Sequence, residues 1–378
     1  MGSPQTTVWK WLPDGDTAFP DMLNAISSAR QSIRLETYIF GAGPLGERFR
    51  DVLAEASARG VNVSVLVDAI GSFELPDTFW SPLRAAGGEV RVFNPISLNR
   101  MSIRNHRKLV VCDDLVAFVG GFNIANECEG DGVTRGWRDL GMRLEGPLVA
   151  ALSESFDSMF ALAEFRHKRF VRLRKASSLK RAAQFSGERL LLGGPGRGGN
   201  PIRVSLRHDI IRANDVKIVQ AYFLPPLRLR RDLMRVARRG GDVEMILAGK
   251  SDVAISQLAG RGLHLRFLKA GVRIREYEPQ VLHAKLVVLD DKVYVGSANL
   301  DPRSLSINYE LMIRFENARM AAEAREMFGA VREHTREVTE QECRARPWWT
   351  RMKQWFAFQL LARMDPHVAL KQWRALPK

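Results

Sequence analysis

The chain has 378 residues, 46% of them hydrophobic and 26% charged, the balance of a soluble globular protein long enough for two ordinary domains. Fifty-seven Lys and Arg against 42 Asp and Glu leave a formal charge of +15, which favours an anionic partner, nucleic acid or acidic membrane, without choosing between them. Three scattered cysteines, Cys112, Cys128 and Cys343, exclude a disulfide framework. The N-terminus has no apolar signal-type region and no stretch of about 20 apolar residues occurs, so the expectation is a cytoplasmic protein that meets membranes only from the side.

Taken in chain order, the elements come in two similar sets. Residues 25–40, AISSARQSIRLETYIF, lead into an amphipathic stretch between Leu45 and Arg59 with Phe49, Val52, Leu53 and Ala56 on one face, then into RGVNVSVLVD, where VSVLV reads as a buried strand. IIRANDVKIVQAYFL at 210–224, another amphipathic stretch and RGGDVEMILAG repeat that order. Each set continues with a Gly and a short strand, GGEVRVFNP and GVRIREYEP. Alternating strand and helix predict an α/β sandwich around a mixed sheet in each half.

Between the halves, residues 166–181 hold eight Lys or Arg, and GGPGRGGN at 193–200 reads as a loop. The expected organisation is a first domain over 1–170, a basic and Gly-rich linker over 171–200, a second domain over 201–340 and a tail over 341–378. In that tail, Trp349, Met352, Phe356 and Leu360 fall at helical spacing, flanked by Trp348 and Trp355, with Arg351, Lys353 and Arg363 on other faces. Aromatic residues on one side and basic residues near headgroups predict a helix lying in an anionic membrane interface over 344–363, aided by the basic linker.

The chemistry lies in a kit that occurs twice. NHRKLVVCDDLVAFVGGFN carries His106, Lys108, Asp113, Gly120, Gly121 and Asn123; LHAKLVVLDDKVYVGSAN carries His283, Lys285, Asp290, Gly296, Ser297 and Asn299. Side chains two apart on a strand share a face, so His and Lys project together. A neutral imidazole attacks or accepts a proton, an ammonium holds a phosphate oxygen, and an Asn amide donates to another. Each copy reads as half of a phosphoryl site, and two histidines divide the work of nucleophile and general acid. Lysines stand where a zinc site would need further His, Cys or carboxylate ligands, so the expected chemistry uses neither metal nor cofactor.

These strings resemble the paired HKD motifs of the phospholipase D superfamily. The first copy matches that pattern throughout; the second has one residue fewer between Asp290 and Gly296, which a shorter hairpin would absorb at the cost of a weaker assignment for Ser297 and Asn299. The resemblance implies two similar domains facing across a pseudo-twofold axis with one active site at their junction. It implies a phosphohistidine on His106 with His283 as general acid and base; the pseudo-symmetry leaves the reverse assignment open. Lys108, Lys285, Asn123, Asn299, Ser297 and Gly121 would cradle phosphate, with Asp113 and Asp290 as structural members of the motif. A further acid orients each histidine; Asp139, with Glu145 as its competitor, and Glu310 are the candidates.

ETYIF, VGGFNIANE, WRDLGMRLEGP and GSANLDPRSLSINYE resemble the bacterial cardiolipin synthase branch in its short form. The implied reaction moves a phosphatidyl group onto phosphatidylglycerol. A phospholipase-type hydrolase and a DNA phosphodiesterase are the alternatives; nucleic acid is disfavoured because the aromatic residues gather in the tail and not in the cleft-forming segments.

Overall fold

The computed structural model describes residues 6–76, 78–94, 103–163, 180–185, 187–196 and 198–364. Most of the basic stretch at 166–181 and the end of the tail lie outside the described residues.

The first sheet contains β1 (Val8–Leu12), β2 (Ser32–Thr37), β3 (Asn62–Asp68), β4 (Glu89–Phe93), β5 (Leu109–Cys112), β6 (Val116–Gly120) and β7 (Gly141–Glu145). The second contains β8 (Ala182–Gln184), β9 (Glu188–Gly193), β10 (Asp215–Gln220), β11 (Asp242–Ala248), β12 (Arg273–Tyr277), β13 (Lys285–Leu289), β14 (Lys292–Gly296), β15 (Glu310–Glu316) and β16 (Thr335–Glu337). Their orders are β1-β7-β6-β5-β2-β3-β4 and β16-β12-β11-β10-β13-β14-β15-β9-β8. Read from β9, the second sheet repeats the first strand for strand, with β8 and β16 added at its edges. β2, β3 and β4 run parallel, as do β10, β11 and β12, while the remaining neighbours are antiparallel, which gives each half the expected mixed sheet.

One correction concerns the linker. β9 lies inside the stretch expected to connect the domains, yet it pairs with β15 from Glu310↔Gly193 to Phe315↔Glu188 and buries Leu190, Leu191 and Leu192. Burial of three leucines outweighs the Gly-rich surroundings that made this segment read as a connection. β9 is the second half's equivalent of β1.

Strand alternation builds three cores. Leu109 and Val111 face the second domain and join Leu286, Val288, Val293 and Val295 in a core shared by both halves. Val110 and Cys112 point the other way, towards helices Gly15–Ser28 and Pro44–Ala58. Val287 and Leu289 do the same in the second domain, towards helices Pro201–Ile210 and Leu227–Arg238. The shared core fixes one sheet against the other, and that fixes the site.

The missing residue of the second motif falls entirely in a turn. Asp113, Asp114 and Leu115 join β5 to β6, whereas only Asp290 and Asp291 join β13 to β14. Register is unaffected: Leu109 lies opposite Val119 and Leu286 opposite Val295, so the next step pairs the motif Lys with the motif Gly in both halves. Asp113, Asp114 and Asp290 adopt φ of 57°, 56° and 49°, a left-handed conformation that Asp tolerates in turns. The Asp113 carboxylate accepts N–H groups of Arg30, Gln31 and Ser32, and that of Asp290 accepts those of Asn214 and Asp215. Both acids tie a hairpin to the segment entering the neighbouring strand.

Behind His106 lies a buried ion pair, Arg107 to Glu36 at 3.1 Å, with Asn105 donating to Glu36 at 2.6 Å and Arg107 to Ser155 Oγ at 2.8 Å. Strand pairing makes Val219 and Ala284 the second domain's equivalents. Removing one member of such a pair leaves a buried charge alone, so Arg107→Leu is expected to cost about 3–5 kcal/mol. Adding Glu36→Val to that variant should recover at least half of the loss. Denaturant midpoints of the two variants check this.

Candidate active site

Two short stretches of backbone cross between the domains. Tyr309 N–H donates to Arg104 O, and His106 N–H to Tyr309 O, each at 2.9 Å; Arg138 N–H donates to Val281 O at 2.8 Å, and His283 N–H to Arg138 O at 2.7 Å. Each motif histidine is thereby clamped beside the residue that precedes the other half's acid. The side chains follow: His106 Nδ1 lies 3.1 Å from Glu310, and His283 Nδ1 lies 2.5 Å from Asp139. Both expected acids are at the site, but each serves the histidine of the opposite domain. Glu145 is not there; it ends β7 and pairs with Arg143 at 2.8 Å.

An Nδ1–H donated to carboxylate leaves the Nε2 lone pair for chemistry. Burial lowers the His106 pKa to about 4, with Glu310 opposing and Lys108 and Lys285 reinforcing. Burial and then Lys285 lower that of His283, against Asp139. Both shifts favour the neutral form of the ring.

Lys108 donates to His106 O at 2.8 Å, and Lys285 to His283 O. Burial, followed by the charge of Lys285, lowers the Lys108 pKa to about 7; burial lowers that of Lys285 as well. An anion bound close to these two ammonium groups would favour their charged forms.

The asparagines are buried and line the cleft. Asn123 Oδ1 accepts Ile39 N–H at 3.2 Å, which leaves its NH₂ for a ligand oxygen. Asn299 Oδ1 has no hydrogen-bond partner among the described residues, so its oxygen is not locked by the protein.

Gly121 and Ser297 depart from expectation. Neither lines the cleft. A Cβ on Gly121 would lie 2.0 Å from Asp139 Oδ1, so Gly is required for that carboxylate to pack against the strand. Ser297, its equivalent, donates to Glu310 at 2.5 Å. Both shape the orienting acids because the side-chain alternation of the strand end turns them away from the cleft.

The cleft encloses about 420 Å³ and includes residues that motif reading missed: Tyr38, Arg104, Trp137, Asp252, Asp301, Arg303 and Asn308. Tyr38 stands 5.0 Å from the His106 ring and Trp137 5.4 Å from the His283 ring, centroid to centroid. These two lie in the strings ETYIF and WRDLGMRLEGP, but no spacing rule places them beside a histidine. Asp301 accepts N–H groups of Arg303 and Ser304 at 2.7 and 3.0 Å; burial raises its pKa to about 6.

Loss of an orienting charge should leave the ring in place but in the wrong tautomer. Asp139→Asn and Glu310→Gln are each expected to lower kcat by about 10²- to 10⁴-fold, while Glu145→Gln stays within about twofold, as surface changes do. Steady-state turnover of a phosphodiester substrate by the three variants checks this.

The family model described as "Cardiolipin synthase, PLD-like domain" matches residues 22–159 and 206–332, one segment in each half. The chain is 31% identical to cardiolipin synthase B of Salmonella typhimurium (strain LT2) over 93% of its length and 86% of that protein's. It is 33% identical to the major cardiolipin synthase ClsA of Bacillus subtilis (strain 168), over 91% of this chain and 72% of that one. Its fold matches phosphatidylserine synthase of Haemophilus influenzae Rd KW20 with a TM-score of 0.75 and 16% identity, covering 96% and 94% of the two chains. With the paired motifs carried on two repeated α/β domains and kinship over nearly its whole length, the chain belongs to the cardiolipin synthase family of phospholipase D-like proteins.

Proposed function

We propose that this protein is a phosphatidyltransferase that joins a phosphatidyl group to phosphatidylglycerol and yields cardiolipin. The observation that carries this reading is the convergence of His106, Asn123, His283 and Asn299 on one cleft, each histidine backed by a carboxylate, in a chain whose relatives are cardiolipin synthases.

Asymmetry in the acids supports the division of labour. Glu310 is shared between His106 and the Ser297 hydroxyl, which weakens its support for an imidazolium and suits His106 to act as the neutral nucleophile. Ser297 donates to the same Glu310 oxygen that faces His106, whereas Leu140 N–H takes the other oxygen of Asp139 and leaves the nearer one to His283 at 2.5 Å, which suits His283 to hold and release a proton. In the first displacement a P–Nε2 bond forms on His106 while the bond to the departing alcohol oxygen breaks, and His283 protonates that oxygen. In the second an acceptor hydroxyl gives its proton to His283 and takes the phosphorus. Lys108, Lys285, Asn123 and Asn299 would neutralise charge on the non-bridging oxygens.

The same proposal assigns the tail to the membrane surface. Helix Trp348–Gln359 buries Gln354 and Ala357 and continues to Leu361, which lines the cleft. Trp348, Trp349, Trp355 and Phe356 are each more than half exposed, costly to leave in water and well matched to a lipid interface. Among the described residues no helix is long and apolar enough to cross a membrane. Peripheral attachment at the inner face of the cell membrane fits this helix and the positive charge.

Purified protein incubated with phosphatidylglycerol vesicles is expected to form cardiolipin and glycerol. With labelled donor, His283→Ala should accumulate label on a His106 peptide, and His106→Ala none. In co-sedimentation with the same vesicles, Trp355→Ser combined with Phe356→Ser should lower the bound fraction severalfold; unchanged binding would remove the tail from the account. Phosphatidic acid as the sole product would make the protein a hydrolase, and absence of lipid turnover would point to DNA phosphodiesters.

A further inference from the structure

The repeated kit accounts for one phosphate, the one that reacts. An acceptor phosphatidylglycerol brings a second phosphodiester, which is not transferred and must rest in the cleft close by. Two further cations line that cleft, Arg104 and Arg303, and neither belongs to the repeat. Val281 stands two residues before His283 where Arg104 precedes His106; Glu127 stands four residues after Asn123 where Arg303 follows Asn299. The duplicated halves are thus made unequal by cations that occur once each.

Both line the cleft together with Tyr38 and His106, and the Tyr38 ring stands 5.0 Å from that of His106, so the arginines share the cleft with the proposed nucleophile. Arg104 is anchored by buried Asp68 at 3.2 Å, which also accepts the N–H groups of Ile70 and Asn105 at 2.9 Å. Among the carboxylates of the cleft, Asp252 accepts the Tyr222 hydroxyl at 2.6 Å and Asp301 accepts N–H groups of its own turn. Such acceptors suit the hydroxyls of a glycerol lying between two phosphates.

We propose that Arg104 and Arg303 form a second phosphate subsite that holds the non-reacting phosphodiester of the acceptor lipid and so selects phosphatidylglycerol over water and small alcohols. This rests on the transferase reading. With the acceptor held there, its terminal glycerol hydroxyl attacks phosphorus. The new O–P bond forms as the P–Nε2 bond to His106 breaks, and the hydroxyl proton passes to His283 Nε2. Guanidinium is the group best matched to a phosphodiester because it donates two parallel hydrogen bonds.

The test measures two fates of one intermediate. Full-length protein is given phosphatidylglycerol vesicles and labelled glycerol, so that cardiolipin reports a charged acceptor and label in phosphatidylglycerol reports a neutral one. Arg303→Gln is expected to lower cardiolipin formation at least tenfold, the scale of one charge-assisted hydrogen bond, while glycerol exchange falls less than threefold. Arg303→Lys should restore at least a third of cardiolipin formation. A parallel fall of both products, or unchanged cardiolipin, would overturn the subsite. If the wild type forms neither product, the transferase reading itself fails and the subsite with it.

Discussion

The imidazoles of His106 and His283 are each held by a carboxylate from the opposite domain, and the rest of the structure is arranged around that exchange. His106 meets Glu310 and His283 meets Asp139, so neither domain can complete a site alone. Five backbone hydrogen bonds, the fifth from Ala284 N–H to Arg138 O, clamp the exchanged segments, and the core shared by the two sheets holds the clamp. Displacements of about 1 Å at reacting atoms cost orders of magnitude in rate, which explains why domain contact and catalytic geometry use the same residues. The outer cores carry ordinary stability; the inner one also carries the alignment.

A duplicated fold supplies two equal halves, whereas a transfer with a nucleophile, an acid, a donor and an acceptor needs them unequal. The inequality appears at several depths. Ser297 stands for Gly121, so one acid is shared with a hydroxyl and the other is not. Glu36 and Arg107 form a buried ion pair where the second domain has Val219 and Ala284. Burial raises the Glu36 pKa and lowers that of Arg107, the mark of a pair that is expensive to keep charged. Its position beside His106 points to a gain in local rigidity more than in stability.

Much of this was legible in the chain. His and Lys two apart, followed by alternating apolar residues, fixed both the strand and the side of it that carries chemistry, and the echo of 25–40 in 210–224 announced the second domain. The shortened motif resolved as expected, inside a turn. Three features were not legible. The exchange of acids joins residues 204 and 144 positions apart in sequence, a separation on which local spacing is silent. β9 hides among glycines, and only its pairing with β15 reveals it as a strand. Gly121 and Ser297 sit within a phosphate motif, yet a one-residue change of facing turns them from the ligand to the acids.

The most direct measurement of the exchanged pairs is proton NMR of the histidine ring N–H groups in protein with labelled histidine. The structure predicts two strongly downfield Nδ1–H resonances, assigned by their loss in His106→Gln and His283→Gln. Glu310→Gln should shift only the His106 resonance and Asp139→Asn only that of His283. The reverse correspondence, or an equal response of both resonances to either change, would contradict the pairing on which the account rests.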